Sequence, residues 1–255
     1  MSPSIYKISS PQFHIEEFLG FLCGEGQLWN RTPGATQAEE LVEAAGRICY
    51  MSFGDKQSPR SNREYIRNLI DQGHESVLEH VSWTLLLVGV SRAFTHQVVR
   101  HRIGFSFSQL SQQYHEETDA AFVEPAELSR SPEALEAWRH AMSAARQSYN
   151  TILDSLKDGS NGAGTDSQKK EIKRAVRSAA RSVLPNATET KIIVTANGRA
   201  LRHFFKVRGS IPGDAEMREV AAGMFRAVQP DAPALFSDFE LTTLPDASPM
   251  LTQCR

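Results

Sequence analysis

The sequence predicts an α+β fold, in which helices flank a central antiparallel or mixed sheet. An apolar, β-branched run at 81–90 is typical of a buried strand, and the alternating run at 188–195 indicates a second strand. Segments with helical periodicity and recognisable caps lie between and around these runs. Because 255 residues can bury a full hydrophobic core, we expect a single domain spanning residues 1–255.

In the first part of the chain, the helix starts give the clearest local signals. Thr36 is a predicted N-cap, and Glu39, three residues on, completes a capping box. Ser61 is a second predicted N-cap, and Gly73 ends the helix that it begins. The predicted elements are a weak strand within 3–14, a loop at 24–35, and helices from Thr36 to about Tyr50 and from Ser61 to Gln72.

The rest of the chain predicts mainly helices. They lie at 91–99, 132–157, 168–183, 198–208 and 214–228, with strands around 110–116 and at 188–195. Pro185 and Pro230 end two of these helices, because a residue before proline disfavours helical geometry. The Gly- and Ser-rich stretch 158–167 is a predicted flexible link inside one domain, too short to separate two domains.

Composition excludes several classes of protein. Hydrophobic residues make up 40% of the chain and charged residues 23%, as in ordinary globular proteins. A net charge of −2 argues against bulk attraction to nucleic acid. Cys23, Cys49 and Cys254 have the spacing of neither a disulfide framework nor a zinc site. With no signal-peptide pattern and no run of about 18 apolar residues, we expect a cytoplasmic protein without membrane contact.

The stretch from Arg100 to Tyr114 has the most distinctive polar pattern in the sequence. Arg100 and Arg102 flank His101 at the end of a predicted helix, and a serine-rich loop follows. One interpretation is a surface helix whose C-terminal cations suit the helix dipole. The other is an anion site, because guanidinium groups match phosphate oxygens and Ser111 offers a hydroxyl donor. The residues alone leave both open.

Three helices carry basic stripes, and each one is compatible with a solvated surface. The first is the helix at 91–99; the second has Arg174, Arg177 and Arg181, and the third has Arg199, Arg202, His203 and Lys206. Arg208 differs, because it continues the apolar spacing of Leu201, Phe204 and Phe205. An unpaired buried charge costs several kcal/mol, so Arg208 requires a partner. A bound ligand and a structural carboxylate are both possible partners.

Other common sites are absent from the sequence. It contains neither of the two Gly-rich phosphate-binding motifs, G-x-G-x-x-G and G-x-x-x-x-G-K-[ST]. Any bound phosphate must therefore be held by side chains from separate helices. His74 and His80 lie six apart, but no ligand cluster supports a metal site, and we predict none. For His80 a structural role is favoured.

Four motifs in order carry a family resemblance that covers roughly residues 40–240. Arg100-His101-Arg102, eight residues and then Ser111 resemble the signature of the flavin-dependent thymidylate synthases. The segments 73–80, 181–185 and 197–199, with Arg208 beyond them, resemble the upstream and downstream motifs of this family. The resemblance implies a methyltransferase that converts dUMP to dTMP. It implies FAD as cofactor, NADPH and methylenetetrahydrofolate as co-substrates, and a homotetramer with sites between subunits.

The resemblance also implies a role for individual residues. Arg208 would be catalytic, lying at the uracil and favouring its N3-deprotonated form. The nucleotide would be bound by Gln97, Arg100, Gln109, Ser111, Gln113, Arg181 and Arg208. The flavin would be bound by His74, Ser76, Glu79, Arg100, His101, Arg102, Asn197, Arg199 and His203.

The sequence departs from the family pattern at three places. Gln113 stands where an arginine is usual, and Gln109 where an acidic residue is common. After Arg208 the run 209–213 has Pro212 in a region where the family commonly has a histidine. The altered sugar and phosphate contacts predict that UMP is accepted as well as dUMP, as in the family branch of nucleoside-antibiotic pathways.

Two other functions fit parts of the sequence. A flavin- or nucleotide-binding homologue with altered catalysis would explain Pro212 and Gln113. A nucleic-acid-binding protein would use the basic stripes, and its binding would depend steeply on salt. The acidic net charge makes nucleic acid the weakest alternative.

Overall fold

The chain has an α+β architecture, as predicted. The computed structural model describes residues 2–158 and 165–254. Its strands are β1 (Ser4–Ser9), β2 (Ser82–Ser91), β3 (Phe105–Gln109), β4 (Glu189–Asn197), β5 (Phe239–Thr243) and β6 (Pro249–Gln253). Its helices are α1 (Ile15–Gly24), α2 (Gln37–Ile48), α3 (Asn62–Asp71), α4 (Arg92–Val98), α5 (Pro132–Asp158), α6 (Asp166–Ala180), α7 (Gly198–Arg208) and α8 (Ala215–Val228).

Four strands form the main sheet, in the order β1-β2-β4-β3. Strands β2 and β4 run antiparallel, since Thr84 bonds Thr195 through their hydroxyls while Gly89 donates to the Glu189 carboxylate. Strands β4 and β3 are also antiparallel. In the part of the chain that the structure describes, no helix combines the length and apolar character needed to cross a membrane.

Contacts divide the chain into two compact units. The first unit comprises residues 1–4, 87–100 and 108–192, and the second comprises 5–86, 101–107 and 193–255. The boundary between residues 100 and 101 falls within the Arg-His-Arg motif. The expectation of a single domain remains a prediction.

The second unit has a core of sheet residues and aromatic rings. Trp83 and Val194 are buried on β2 and β4. Phe205 on α7 makes edge-to-face contacts with Phe225 and Phe236 at 5.7 Å between ring centroids. Such contacts add to the stabilisation that burial of the rings already gives. This core holds α7, the helix that carries the predicted site residues Arg199, His203 and Arg208.

The first unit buries a helix pair. Tyr149 and Leu153 of α5 pack with Val176 and Ala180 of α6. The spacing is i, i+4 on both helices, so one apolar stripe of each faces the other. The opposite face of α6 is thereby left to its arginines.

Most of the predicted helices are confirmed. Thr36 and Ser61 both form capping boxes, and α7 begins and ends where the sequence predicted, at 198 and 208. The predicted link at 158–167 lies mostly outside the described residues, and its last two residues belong to α6.

The predicted strand at 110–116 is wrong, because those residues form the turn that follows β3. Strand β3 lies instead within the predicted serine-rich loop. Phe105, Phe107 and Gln109 alternate with two exposed serines, a period-two pattern that pairing with β4 stabilises. The low hydrophobicity of this run hid the alternation.

The C-terminal hairpin was missed by the sequence analysis. Strands β5 and β6 pair antiparallel from Phe239 opposite Gln253 to Thr243 opposite Pro249. The hairpin lies against the end of α7, where the N–H of Leu251 donates to the carbonyl of Gly209 at 2.9 Å. It therefore helps to position the residue that precedes Gly209, which is Arg208.

Candidate active site

The central contact in the second unit joins His101 to Arg208. The Nε–H of Arg208 donates to Nε2 of His101 at 3.1 Å, across 107 positions of sequence. Arg208 is the last residue of α7, and His101 lies three positions beyond the last residue of α4. The structure thus gives the cation predicted to be catalytic a neutral imidazole as a partner.

His101 lies half-buried among aromatic rings. Phe204 is 5.2 Å away, Phe105 5.8 Å and His203 6.1 Å, all between ring centroids. Burial lowers the pKa of His101 below its usual value, and the positive charge of Arg208 and the nearby His203 lower it further. The neutral imidazole is therefore the favoured form, as acceptance of the Arg208 hydrogen bond requires.

The N-terminus of α7 carries two of the predicted flavin residues. The Asn197 side chain caps the helix by accepting from the N–H of Ala200 at 2.8 Å. The Arg199 guanidinium donates to the Glu79 carboxylate at 2.7 Å and lies 3.6 Å from that of Glu75. Glu79 lies in the short 3-10 helix Glu75–His80. Two motifs predicted to bind flavin are thus connected directly.

A cavity of about 120 Å³ opens on the same face of α7. It is lined by Glu75, Arg199, Arg202, His203, Lys206 and Gln253. These side chains are mainly cationic or hydrogen-bonding, and guanidinium and ammonium groups are the usual partners of phosphate oxygens. Neither Lys206 nor Gln253 was among the predicted site residues. Gln253 lies on the C-terminal hairpin, which no sequence pattern had indicated.

A flavin ring needs an apolar contact surface as well as polar donors. Ile103 is 88% exposed and Val207 is 44% exposed, and they adjoin Arg102 and Arg208 in the chain. His74, Ser76 and Arg102, also predicted to bind flavin, are exposed too. Single exposed apolar side chains are common on protein surfaces, so Ile103 and Val207 are compatible with a flavin ring but do not by themselves indicate one.

The first unit contains the predicted nucleotide residues apart from Arg208. The hydroxyl of Ser111 accepts from the backbone N–H of Gln113 at 3.3 Å, and Gln113 donates through its amide to Ser178 of α6 at 3.0 Å. The turn at 111–114 thus lies on the arginine face of α6. Arg177 donates to Glu116, while the guanidinium of Arg174 lies 4.9 Å from the ring centroid of Tyr114.

Hydrogen bonds also connect the residues just before this turn to α4. Gln109 donates through its amide to Thr95 at 3.0 Å, and Arg92 donates to the carbonyl of Leu110 at 2.9 Å. Burial raises the pKa of the Glu117 carboxyl, an effect that nearby His115 and Arg92 oppose. Burial also lowers the pKa of Arg92, as does the charge of Arg181, so Arg92 and Arg181 add to one positive region.

The remaining predicted nucleotide residues lie at helix ends. Gln97 and Arg100 are on the last turn of α4 and just beyond it, and Arg181 follows the last residue of α6. Arg100 is exposed, and Gln97 and Arg181 are half-buried. The structure therefore brings Gln109, Ser111, Gln113 and the arginine face of α6 into one unit. It places Arg208 in the other unit, with the predicted flavin residues other than Arg100.

Two interpretations of the basic residues require correction. Arg202 was grouped with a solvated stripe, but it is buried, with a bidentate ion pair to Asp238 at 2.6 and 2.8 Å. Asp238 lies just before the hairpin, 36 positions from Arg202, so no local pattern indicated this pair. His80 was favoured as a hydrogen-bonded structural histidine, but it is exposed.

Comparison with known proteins gives consistent matches over most of the chain. A family model described as thymidylate synthase complementing protein matches residues 28–234. The flavin-dependent thymidylate synthase of Corynebacterium glutamicum is 44% identical over 217 residues, covering 84% of this chain and 85% of that protein. That of Corynebacterium aurimucosum is 38% identical over 248 residues, covering 96% and 97%.

A third relative, the flavin-dependent thymidylate synthase of Mycolicibacterium gilvum, is 45% identical over 214 residues, covering 83% of this chain and 84% of that protein. The matched region includes the Arg-His-Arg motif, the whole of α7 and the segment around Arg181. On this evidence the chain belongs to the family of flavin-dependent thymidylate synthases.

Proposed function

We propose that this protein methylates C5 of uridylate, converting dUMP to dTMP. Methylenetetrahydrofolate provides the carbon in this proposal, and NADPH reduces a bound FAD. The observation that supports it best is the contact between Arg208 and His101. It places a permanent, partly buried positive charge beside the Arg-His-Arg motif, with residues suited to hold a flavin on the same helix.

Arg208 performs the activating step in this proposal. Its guanidinium lies at the uracil and stabilises the negative charge of the N3-deprotonated, enolate-like ring. That charge makes C5 nucleophilic toward the one-carbon unit. The group held by the flavin residues supplies the hydride that completes the methyl group. The three cysteines of the chain are all exposed and take no part.

The residues of the first unit bind the nucleotide in this proposal. Arg181 neutralises the phosphate, and the proton of the Ser111 hydroxyl remains available to donate, because that oxygen accepts from Gln113. The Gln113 amide is neutral and is committed to Ser178, so the phosphate has fewer cations than an arginine would give. We therefore include UMP as a second acceptor, since weaker constraints on sugar and phosphate leave room for a 2′-hydroxyl.

The proposed assembly is a homotetramer in which neighbouring subunits complete each site. This assembly is the one that the family resemblance implies, and we propose it on the ground that the chain belongs to that family.

A product assay tests the proposal. The purified protein is given FAD, NADPH and methylenetetrahydrofolate under anaerobic conditions, with dUMP and UMP in parallel, and the nucleotides are separated by chromatography. We expect dTMP in the first reaction and a smaller yield of 5-methyl-UMP in the second. Omission of methylenetetrahydrofolate should abolish both products.

Three outcomes would change the proposal. No methylation of UMP at saturating concentration would restrict the acceptor to dUMP. Equal rates with NADH and NADPH would remove the assignment of the reductant. Bound flavin without any product would favour the homologue with altered catalysis.

A further inference from the structure

We propose that His101 is a positioning residue for Arg208, which helps to hold its guanidinium in one orientation by accepting its Nε–H as an uncharged imidazole. The proposal rests on the proposed function, in which Arg208 acts on the uracil. It gives His101 a role beyond contact with flavin.

The direction of the hydrogen bond fixes the state of the histidine. The Nε of an arginine donates and cannot accept, so Nε2 of His101, 3.1 Å away, must offer a lone pair. An imidazolium has no lone pair, because both of its nitrogens carry protons. The contact therefore exists only while His101 is neutral, with its proton on Nδ1.

The surroundings of His101 favour that neutral state. Among the described residues, the charged or titratable groups that face it are Arg208 and His203, both of α7. The rings of Phe204 and Phe105 also pack against it, 5.2 and 5.8 Å away between ring centroids. None of these groups is a carboxylate that would stabilise an imidazolium. Burial is the main reason that the pKa of His101 is lowered, and the two cationic or titratable neighbours act in the same direction.

Arg208 needs such a partner because of its position. It is the last residue of α7, and an arginine side chain has many rotamers of similar energy. A donor that is fixed before the reaction stabilises developing charge without reorganising. Anchoring Nε through His101 fixes the plane of the guanidinium. Acidification then protonates His101, breaks the anchor and places two cations together.

The first experiment observes the contact without using activity. Protein labelled with ¹⁵N-histidine is titrated by NMR, and the His101 nitrogens are assigned by comparison with His101→Gln. We expect a protonation midpoint below the ordinary value of about 6.5, with Nε2 unprotonated at neutral pH. In Arg208→Gln the midpoint should rise, because the neighbouring charge is gone. In Arg226→Gln, a control that removes an exposed cation of α8, it should not move.

The second experiment tests whether the side chain of His101 acts as a hydrogen-bond acceptor or only fills space. His101→Gln keeps an acceptor oxygen but cannot titrate, and His101→Leu has similar bulk and no acceptor. With turnover expressed per bound flavin, His101→Leu should lower kcat about tenfold or more, while His101→Gln should remain within about threefold of wild type. The wild-type kcat should fall as pH falls through the His101 midpoint, and this acid limb should vanish in His101→Gln.

The results that overturn the proposal differ from those that overturn the function. An unchanged His101 midpoint in Arg208→Gln, or a kcat of His101→Gln as low as that of His101→Leu, would exclude the positioning role. Wild-type protein that makes no methylated nucleotide would reject the proposed function. In that case the NMR titration would still report whether His101 accepts from Arg208.

Discussion

Three arginines show how a residue's partner decides its role. Arg202 is buried and neutralised by Asp238, and half-buried Arg177 is paired with Glu116. Arg208 donates to the imidazole of His101, a partner that carries no negative charge. This hydrogen bond therefore differs in kind from the two ion pairs, and it is the contact that the proposed role of Arg208 uses.

At the residue scale, we predict that Arg208→Ala abolishes turnover without unfolding the protein. The loss in kcat should be about hundredfold or more, because no other described side chain is assigned to activate the uracil. The free energy of unfolding should change by no more than about 1 kcal/mol, since the side chain lies at a helix end. Product chromatography and thermal melting measure the two effects.

Arg208→Lys sharpens the interpretation of this variant. Lysine keeps the charge but lacks the planar fork, so only partial recovery relative to Arg208→Ala is expected. Near-normal methylation by Arg208→Ala would mean that another group activates the uracil, and the assignment would be wrong.

At the scale of elements, Gly104 allows the loop after the Arg-His-Arg motif to approach the start of α7. The N–H of Asn197 donates to the Gly104 carbonyl at 3.1 Å. Gly104 has a φ of +72°, and a Cβ there would lie 2.7 Å from the Asn197 amide and 2.8 Å from Ala200. The close approach keeps His101 and Asn197 together, although almost a hundred residues separate them.

We predict that Gly104→Ala destabilises the protein by about 2 to 3 kcal/mol and weakens flavin binding. The left-handed conformation costs about 1 kcal/mol for alanine, and the contact with Asn197 adds to it. Gly213→Ala is the matched control, because Gly213 has the same φ of +72° but open space around its Cβ position. It should lose only the conformational part. Chemical denaturation and flavin titration measure both, and equal effects in the two variants would show that the close approach contributes nothing.

At the scale of the whole molecule, the mass of the assembly and the mixing of its subunits test the proposed homotetramer. We predict that the 28.3 kDa chain elutes with the mass of four copies in light-scattering chromatography. We also predict that two inactive variants, Arg181→Ala and Arg208→Ala, regain part of the activity when they are co-expressed. Mixed subunits can then pair an intact nucleotide segment with an intact Arg208.

Each variant alone and a mixture of separately purified homotetramers are the controls for this experiment. A monomer with full activity would contradict the assembly. No recovery in a proven hetero-oligomer would show that one chain supplies both residues to each site.

The amino-acid sequence by itself determined the features that depend on local interactions. Capping boxes at Thr36 and Ser61, the buried strand β2 and the bounds of α7 follow from neighbours within a few positions. The order of the motifs was enough to predict the family, because the motif residues are contiguous or regularly spaced.

Only the tertiary structure decided the contacts between distant residues. Strand β3 is stabilised by pairing with β4, and Arg202 is buried because Asp238, 36 positions on, neutralises it. His101 and Arg208 meet because β3 and α7 pack together, and no periodicity encodes a hydrogen bond across 107 positions. The sequence pattern called for a partner for Arg208, and only the packing of the chain placed the imidazole of His101 within hydrogen-bond distance of it.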